Sequence, residues 1–529
     1  MRLTEYQKTE MQQLLADFDC ARTISEKNLK ALLRDNCNTE FGMKHHFSSI
    51  RSLADYRREV PLSCYDDYAE DFARIFNGEE NILFSYDVRY RIMTSGSTNL
   101  KKRTVLTNEA LRRYSCYTFF MPYVILPEEG PGACFFSGFF YRPKPEETTV
   151  LSSAFHYSLY RRRIIQDDFF VGGGDSVFTG EIKDILYFKC RLALATEDIH
   201  DILSVFLYDL IRFFQYLEEN SALLLEDLST NTINPAIKLP QKQREILEKL
   251  PPVSAERLQL LREEFAKGFD GIVRRIWKNV RFVNGIGGKG FESQEAEIRR
   301  YIGDLPIVYF SYAASECLLA VPLAPDSYEY ALLPRSAFYE FLDLSTGSCC
   351  TIDEVEVGKE YELVLSTFTG LYRYRLGDVV RICGFRGETP IIRVVGRNMV
   401  INKAGEKVDV SMLKRLVGEI MAQNGKGTPE FSFGVDLTVH PARYCVFYED
   451  TDNDSSEMMA DRLDILLRSS NTDYDDLRRL GTFDPMMLYA VEKGSHISCV
   501  YETSGLSHKK PITCLKDEQV AFMKGCALK

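Results

Sequence analysis

Arg91-Ile92-Met93-Thr94-Ser95-Gly96-Ser97-Thr98-Asn99-Leu100-Lys101-Lys102-Arg103 is a polar, hydroxyl-rich stretch that reads as a loop between a strand and a helix. Thr94, Ser95, Ser97 and Thr98 offer hydroxyl donors, and Gly96 lets the backbone approach a ligand or take positive φ. Lys101, Lys102 and Arg103 add positive charge, so the stretch has the makings of a phosphate cradle. The same residue types make an ordinary solvated turn, and the stretch by itself does not separate the two. Downstream, Thr107-Asn108-Glu109 reads as a cap for a helix over residues 110–124, whose positive N-terminal dipole would face back toward the loop. Strand, loop and helix in that order suit an anion site and set the expectation of an α/β core.

Outward from this loop, 529 residues exceed what one hydrophobic core usually organises, so two or three domains are expected. With 45% hydrophobic and 27% charged residues the chain is globular in composition. A net charge of −11 gives no broad electrostatic footprint for nucleic acid or an anionic membrane. No apolar run approaches the roughly 20 residues that span a bilayer, and the first residues lack a signal-peptide core, so a cytoplasmic location is expected. A monomer is expected as well. The 14 cysteines show no CxxC, so reduced thiols are expected, and the seven histidines form no HExxH. His45-His46 reads as a surface pair rather than as metal ligands.

Along the chain, residues 10–36 and 65–76 carry helical apolar spacing, while residues 133–141 and 148–154 read as strands. Residues 184–219 read as helix, with Ile199, Ile202, Leu203, Phe206, Leu210, Phe213 and Phe214 as its core stripe. Arg161-Arg162-Arg163 and Gly172-Gly173-Gly174-Asp175 fit a solvated face and a flexible turn. A strand over residues 280–283 then runs into Gly285, Gly287 and Gly290, which satisfy GxGxxG before a helix over residues 293–302. A dinucleotide site also needs an acidic residue closing the next strand, but Asp304 precedes the strand over residues 307–310 and Glu316 lies beyond it. A tight strand-to-helix turn accounts for the glycines as well.

Ser311-Tyr312-Ala313-Ala314-Ser315-Glu316 sets an aromatic ring, small residues, a hydroxyl and a carboxylate directly after a buried strand. Mg²⁺ takes one or two carboxylates plus phosphate oxygens, and a Tyr ring beside small residues gives adenine a flat wall. A solvated glutamate at a strand end is the plain alternative. Residues 371–381 couple an alternating strand to a Gly377-Asp378 turn and a second apolar run. A carboxylate fixed by such a turn can accept both hydroxyls of a ribose, though an ordinary hairpin has the same pattern.

Taken in order, Thr94–Thr98 with Arg103, Tyr312–Glu316 and Tyr374–Asp378 resemble the three nucleotide motifs of the auxin-responsive acyl-acid amido synthetases, the Gretchen Hagen family. Thr39-Glu40-Phe41-Gly42, Val60-Pro61-Leu62, Val395-Gly396-Arg397, Gly405-Glu406-Lys407 and His508-Lys509-Lys510-Pro511 extend the likeness over nearly the whole chain. That family belongs to the firefly-luciferase-like, acyl-adenylate-forming superfamily. The resemblance implies a large multi-sheet α/β adenylation domain over residues 1–396 and a smaller, mobile α+β domain over residues 397–529. It implies ATP and Mg²⁺ as cofactors, with Ser95, Gly96, Ser97 and Thr98 at the phosphates, Glu316 at the metal, Tyr312 at adenine and Asp378 at the ribose. Ala313, Ser315 and Arg397 would join the nucleotide site, and Lys407 and Lys509 would be the catalytic cations of the mobile domain. Asn471, Tyr474 and Arg478 also match, and read as packing.

The implied reaction couples a small carboxylic acid to an amine, an amino acid above all, through an acyl-adenylate. A thioester-forming acyl-CoA ligase shares the first half-reaction, and a nucleotide-binding protein without catalysis stays open because Leu100 and Arg103 stand where a glycine and a lysine are usual. Arg103 keeps the charge and can clamp phosphate through two donors, but it is not interchangeable with lysine. Neither the acid nor the amine can be read from these motifs.

Overall fold

The protein is described from a computed structural model covering residues 4–93, 103–113, 117–127, 130–140, 142–144, 147, 149–150, 154–179, 182–286, 292–397, 400–401, 408–426, 431–439, 441–450, 456–504, 514–515 and 517–528. These fall into two compact units: Met1–Gly96 with Leu100–Leu376 and Val380–Val395, and Gly377–Val379 with Gly396–Lys529. The loop residues Thr94–Lys102, with the cradle residues Ser95, Gly96, Ser97 and Thr98, lie outside the described residues. So do Gly287, Gly290, Lys407, Lys509 and the side chain of Arg397.

The first unit contains a four-stranded parallel sheet in the order Ala133–Phe136, Ile199–Phe206, Val283–Ile286, Ile307–Tyr309. Parallel neighbours need crossovers, supplied here by helices such as Ile185–Ala195, Leu207–Glu219 and Glu292–Ile302. Trp277, the single tryptophan, is fully buried beside this sheet and donates its Nε1–H to the Thr196 carbonyl at 3.0 Å. A second sheet of eight strands runs Cys349–Cys350, Ala337–Leu342, Glu360–Thr367, Tyr374–Arg386, Thr389–Arg397, Tyr330–Leu332, Leu318–Pro322, Tyr312–Ala313. A third sheet sets Val88–Met93 between Arg103–Thr107 and Thr149–Val150.

Several expectations need correction. The helix over residues 184–219 is instead helix Ile185–Ala195, strand Ile199–Phe206 and helix Leu207–Glu219. Its strand has neighbours on both sides in the parallel sheet, and Ile199, Ile202 and Leu203 are buried. Apolar residues on both faces erase the alternation that marks a half-exposed strand. The phosphate-loop stretch does not lead into a helix. Val88–Met93 pairs antiparallel with Arg103–Thr107, Met93 opposite Arg103, so residues 94–102 join two strands of a hairpin.

The following helix starts at Asn108, after the second strand. Thr107 does cap it, accepting the Ala110 N–H at 3.0 Å. Residues 110–124 divide between helices Asn108–Arg113 and Tyr117–Ile125. The strand expected over residues 133–141 stops at Phe136, and the one expected over residues 280–283 begins at Val283. Gly377 takes φ +84 inside the continuous strand Tyr374–Arg386, making a kink in a strand rather than the turn of a hairpin.

The second unit packs helices, among them Val410–Gln423, Ser456–Ser470 and Asp517–Gly525, with a three-stranded sheet of Phe431–Asp436, Arg443–Glu449 and Met487–Val491. Asn471 caps helix Thr472–Arg479 by accepting the Tyr474 N–H at 2.7 Å. The Tyr474 hydroxyl donates to Asp464 at 2.7 Å and Arg478 pairs with the same carboxylate, so these three residues tie two helices together.

Candidate active site

Glu316 occupies the tip of a β-hairpin. The chain leaves the parallel sheet at Tyr309 and enters the edge of the eight-stranded sheet at Tyr312–Ala313. It turns back into Leu318–Pro322 through Ser315 and Glu316 alone, because Ala314 and Cys317 exchange both backbone hydrogen bonds, at 2.9 and 3.3 Å. The carboxylate is nine-tenths buried, at 9% exposure, and accepts the Tyr374 hydroxyl at 3.2 Å through Oε1. Its own carbonyl accepts the Thr369 hydroxyl at 3.3 Å. A glutamate held this way is not the solvated strand-end residue that the sequence also allowed.

Beside it on the hairpin, Tyr312 is half-buried with its ring centroid 6.5 Å from that of Tyr330, Ala313 is exposed and Ser315 is half-buried. Arg103, exposed at the start of its strand, donates its backbone N–H to the Tyr65 hydroxyl at 2.6 Å and lays its guanidinium 5.6 Å from the Phe76 ring. Burial raises the Tyr65 phenol above its ordinary pKa and the Glu316 carboxylate adds to that, while Arg103 pulls it down. Tyr65 thus stands within electrostatic reach of both the loop's last cation and the hairpin carboxylate. No local pattern marks Tyr65 in the sequence, since its role comes from tertiary placement. Tyr374 lay inside a quoted motif, but only the fold shows that its hydroxyl serves Glu316.

In the second unit, Asp378 follows the φ +84 kink at Gly377 and is half-buried. Among the described residues no three His, Cys, Asp or Glu side chains gather to hold a metal by themselves. A single hard carboxylate such as Glu316 still fits Mg²⁺, which keeps most of its coordination for water and phosphate oxygens.

The pattern of the GH3 family N-terminal domain matches residues 10–307, more than half of the chain, and that of the GH3 family central domain matches residues 330–397. The chain belongs to the GH3 family. Indole-3-acetic acid-amido synthetase GH3.4 of Arabidopsis thaliana is 26% identical, the match covering 94% of this chain and 91% of that protein. Jasmonoyl–L-amino acid synthetase GH3.5 of Oryza sativa subsp. japonica is 25% identical over 90% of this chain and 88% of its own length. The solved structure of GH3.15 acyl acid amido synthetase superposes with a TM-score of 0.83 at 21% identity, covering 100% of this chain and 98% of its own. The fold is therefore the α/β fold of GH3 proteins, with a large N-terminal and a smaller C-terminal part.

Proposed function

We propose that this GH3 protein is an ATP-dependent acyl-acid amido synthetase, joining a carboxylic acid to an amine, an amino acid above all, through an acyl-adenylate. The observation that carries this is Glu316: a buried carboxylate on a two-residue hairpin tip, oriented by the Tyr374 hydroxyl, in a chain that matches named amido synthetases over most of its length. Adenylation needs oriented charge at phosphate more than covalent help from the protein.

In the first half-reaction a substrate carboxylate oxygen bonds to the α-phosphorus of ATP, and the bond to the β-phosphate oxygen breaks to release pyrophosphate. In the second, the amine nitrogen bonds to the acyl carbon, the bond to AMP breaks, and the amine sheds a proton. Mg²⁺ held by Glu316 would neutralise phosphate oxygens during the first step. The residues Ser95, Gly96, Ser97 and Thr98 would cradle the phosphates, with Arg103 placing charge at the loop's end. Tyr312, Ala313 and Ser315 would face the base, and Asp378 and Arg397 would take the ribose side. Lys407 and Lys509 would supply cations from a mobile part spanning residues 397–529, separate from the adenylation part over residues 1–396.

The same reading has the chain working as a monomer in the cytoplasm. Among the described residues no helix is long and apolar enough to cross a membrane. Its test is acid-dependent exchange of pyrophosphate into ATP across a panel of aryl, indolyl and aliphatic acids. Exchange with none of them points to nucleotide binding without catalysis. Amino acids and coenzyme A offered in turn as acceptors separate amide from thioester formation.

A further inference from the structure

Immediately before the strand that carries Gly377, the backbone does something unusual for a bulky residue. Arg373 is buried, at 6% exposure, yet takes φ +47, where the Cβ of any residue but glycine crowds the backbone. The surroundings hold it there. Its Nε donates to Glu340 Oε2 at 2.8 Å and its Nη2 to Oε1 at 3.4 Å, while Nη1 donates to the Val60 carbonyl at 2.9 Å. Its backbone N–H donates to the Ser366 hydroxyl at 3.1 Å. Glu340 is fully buried and takes a second guanidinium, with Arg57 Nε donating to Oε1 at 2.8 Å. Ser63 brackets the kink, accepting the Arg375 N–H at 2.8 Å and donating its own to the Arg373 carbonyl at 3.0 Å.

In an uninterrupted strand Tyr372 and Tyr374 would point to one face. With a left-handed residue between them they diverge in their partners: Tyr372 donates to the Leu83 carbonyl at 2.7 Å and stacks on Phe41, whereas Tyr374 donates to Glu316. A buried ion pair is a weak source of stability compared with apolar packing, so its presence here does not explain itself as glue. A strained backbone persists where its surroundings over-determine it, and such sites gather near functional groups.

We propose that Arg373 is a positioning residue: held left-handed by Glu340, it aims the Tyr374 hydroxyl at Glu316 and so fixes the orientation of that carboxylate. It rests on the assignment of Glu316 to the metal and phosphates, and the test separates the two.

The experiment measures Mn²⁺ binding to the full-length protein by electron paramagnetic resonance, in the presence of a non-hydrolysable ATP analogue, alongside thermal melting and the KM for acid. Tyr374→Phe keeps the ring and removes the hydroxyl, and is expected to weaken Mn²⁺ binding on the order of 10-fold with the KM for acid unchanged. Arg373→Ala retains the Cβ penalty and loses the clamp, so it should weaken Mn²⁺ binding to the same extent. Arg373→Gly loses the clamp but adopts the left-handed conformation freely, and should recover part of that loss.

Mn²⁺ affinity within twofold of the parent in Tyr374→Phe overturns the proposal, even if the Arg373 variants do not fold. So does an Arg373→Ala variant that melts earlier but binds Mn²⁺ normally. Undiminished binding in Glu316→Gln overturns the assignment of Glu316 itself, as does a parent that takes up no Mn²⁺.

Discussion

Lys189, on helix Ile185–Ala195, is fully buried, and its ammonium sets a pH dependence of stability that can be worked out in advance. Its Nζ donates to the Ser176 carbonyl at 2.6 Å and lies 5.4 Å from the Phe136 ring. Burial, the larger cause, pulls its pKa from 10.5 down to about 7, while the Cys134 thiol pushes the other way. Between those values the unfolded chain binds a proton that the folded chain does not, so stability rises with pH across that window. As pH falls through about 7 the folded lysine also takes up its proton and the contribution disappears. Integrated from pH 6 to pH 8, the gain is about 1.4 kcal/mol.

Lys189→Met keeps the length of the side chain and removes the charge. The difference in unfolding free energy between parent and variant is expected to shift by that amount over the same two pH units, in favour of the parent at the higher pH. Histidines and carboxylates titrate in both proteins and cancel. Urea unfolding followed by Trp277 fluorescence reads the same unit. The window closes at pH 8 because the Cys134 thiol, raised by burial, interacts with Lys189 and so does not cancel, its titration carrying the opposite sign. Parallel pH profiles for the two proteins would refute a neutral buried lysine.

Glu316→Gln should lower pyrophosphate exchange by on the order of 10²-fold with its melting temperature kept, and exchange at the parent rate would remove Glu316 from the site. Asp378→Ala is expected to weaken ATP binding about 10- to 150-fold, the loss of one good hydrogen bond to a charged group, read by calorimetry. For Arg103, the lysine variant should retain exchange while Arg103→Ala loses on the order of 10²-fold; an alanine variant within about twofold of the parent shifts the role to Lys101 or Lys102. Tyr65→Phe removes the acceptor of the Arg103 N–H and should raise the KM for ATP by roughly 2- to 10-fold, with the KM for acid unchanged.

Much of the fold was legible where local chemistry and pattern agree. Thr107 caps a helix, and the helices within residues 10–36 follow their apolar spacing. The strand Ile199–Phe206 was not legible, because a strand buried on both faces has no polar side to reveal its period. The hairpin Val88–Thr107 was missed for a different reason: nine residues separate its strands, far beyond the two-residue turns that announce a hairpin. Among the candidate residues, Glu316 and Asp378 stood out as carboxylates beside small residues. Tyr65 and Arg373 did not, since a hydroxyl 38 positions from its donor and a guanidinium 33 positions from its carboxylate leave no trace in spacing.

The hairpin that carries Glu316 also limits how this chain can change over generations. Ser315 and Glu316 are all that lie between the mutually bonded Ala314 and Cys317, so the turn has no slack residue. Gaining or losing one codon there would slide Leu318–Pro322 by one position against its neighbours and exchange its two faces. Every residue of that strand is buried, so the exchange would mismatch side-chain volumes throughout the layer. A length change at the tip therefore costs more than a point substitution near the carboxylate, whereas for the nine-residue connection from Met93 to Arg103 the closure cost is only about 0.6 kcal/mol per doubling.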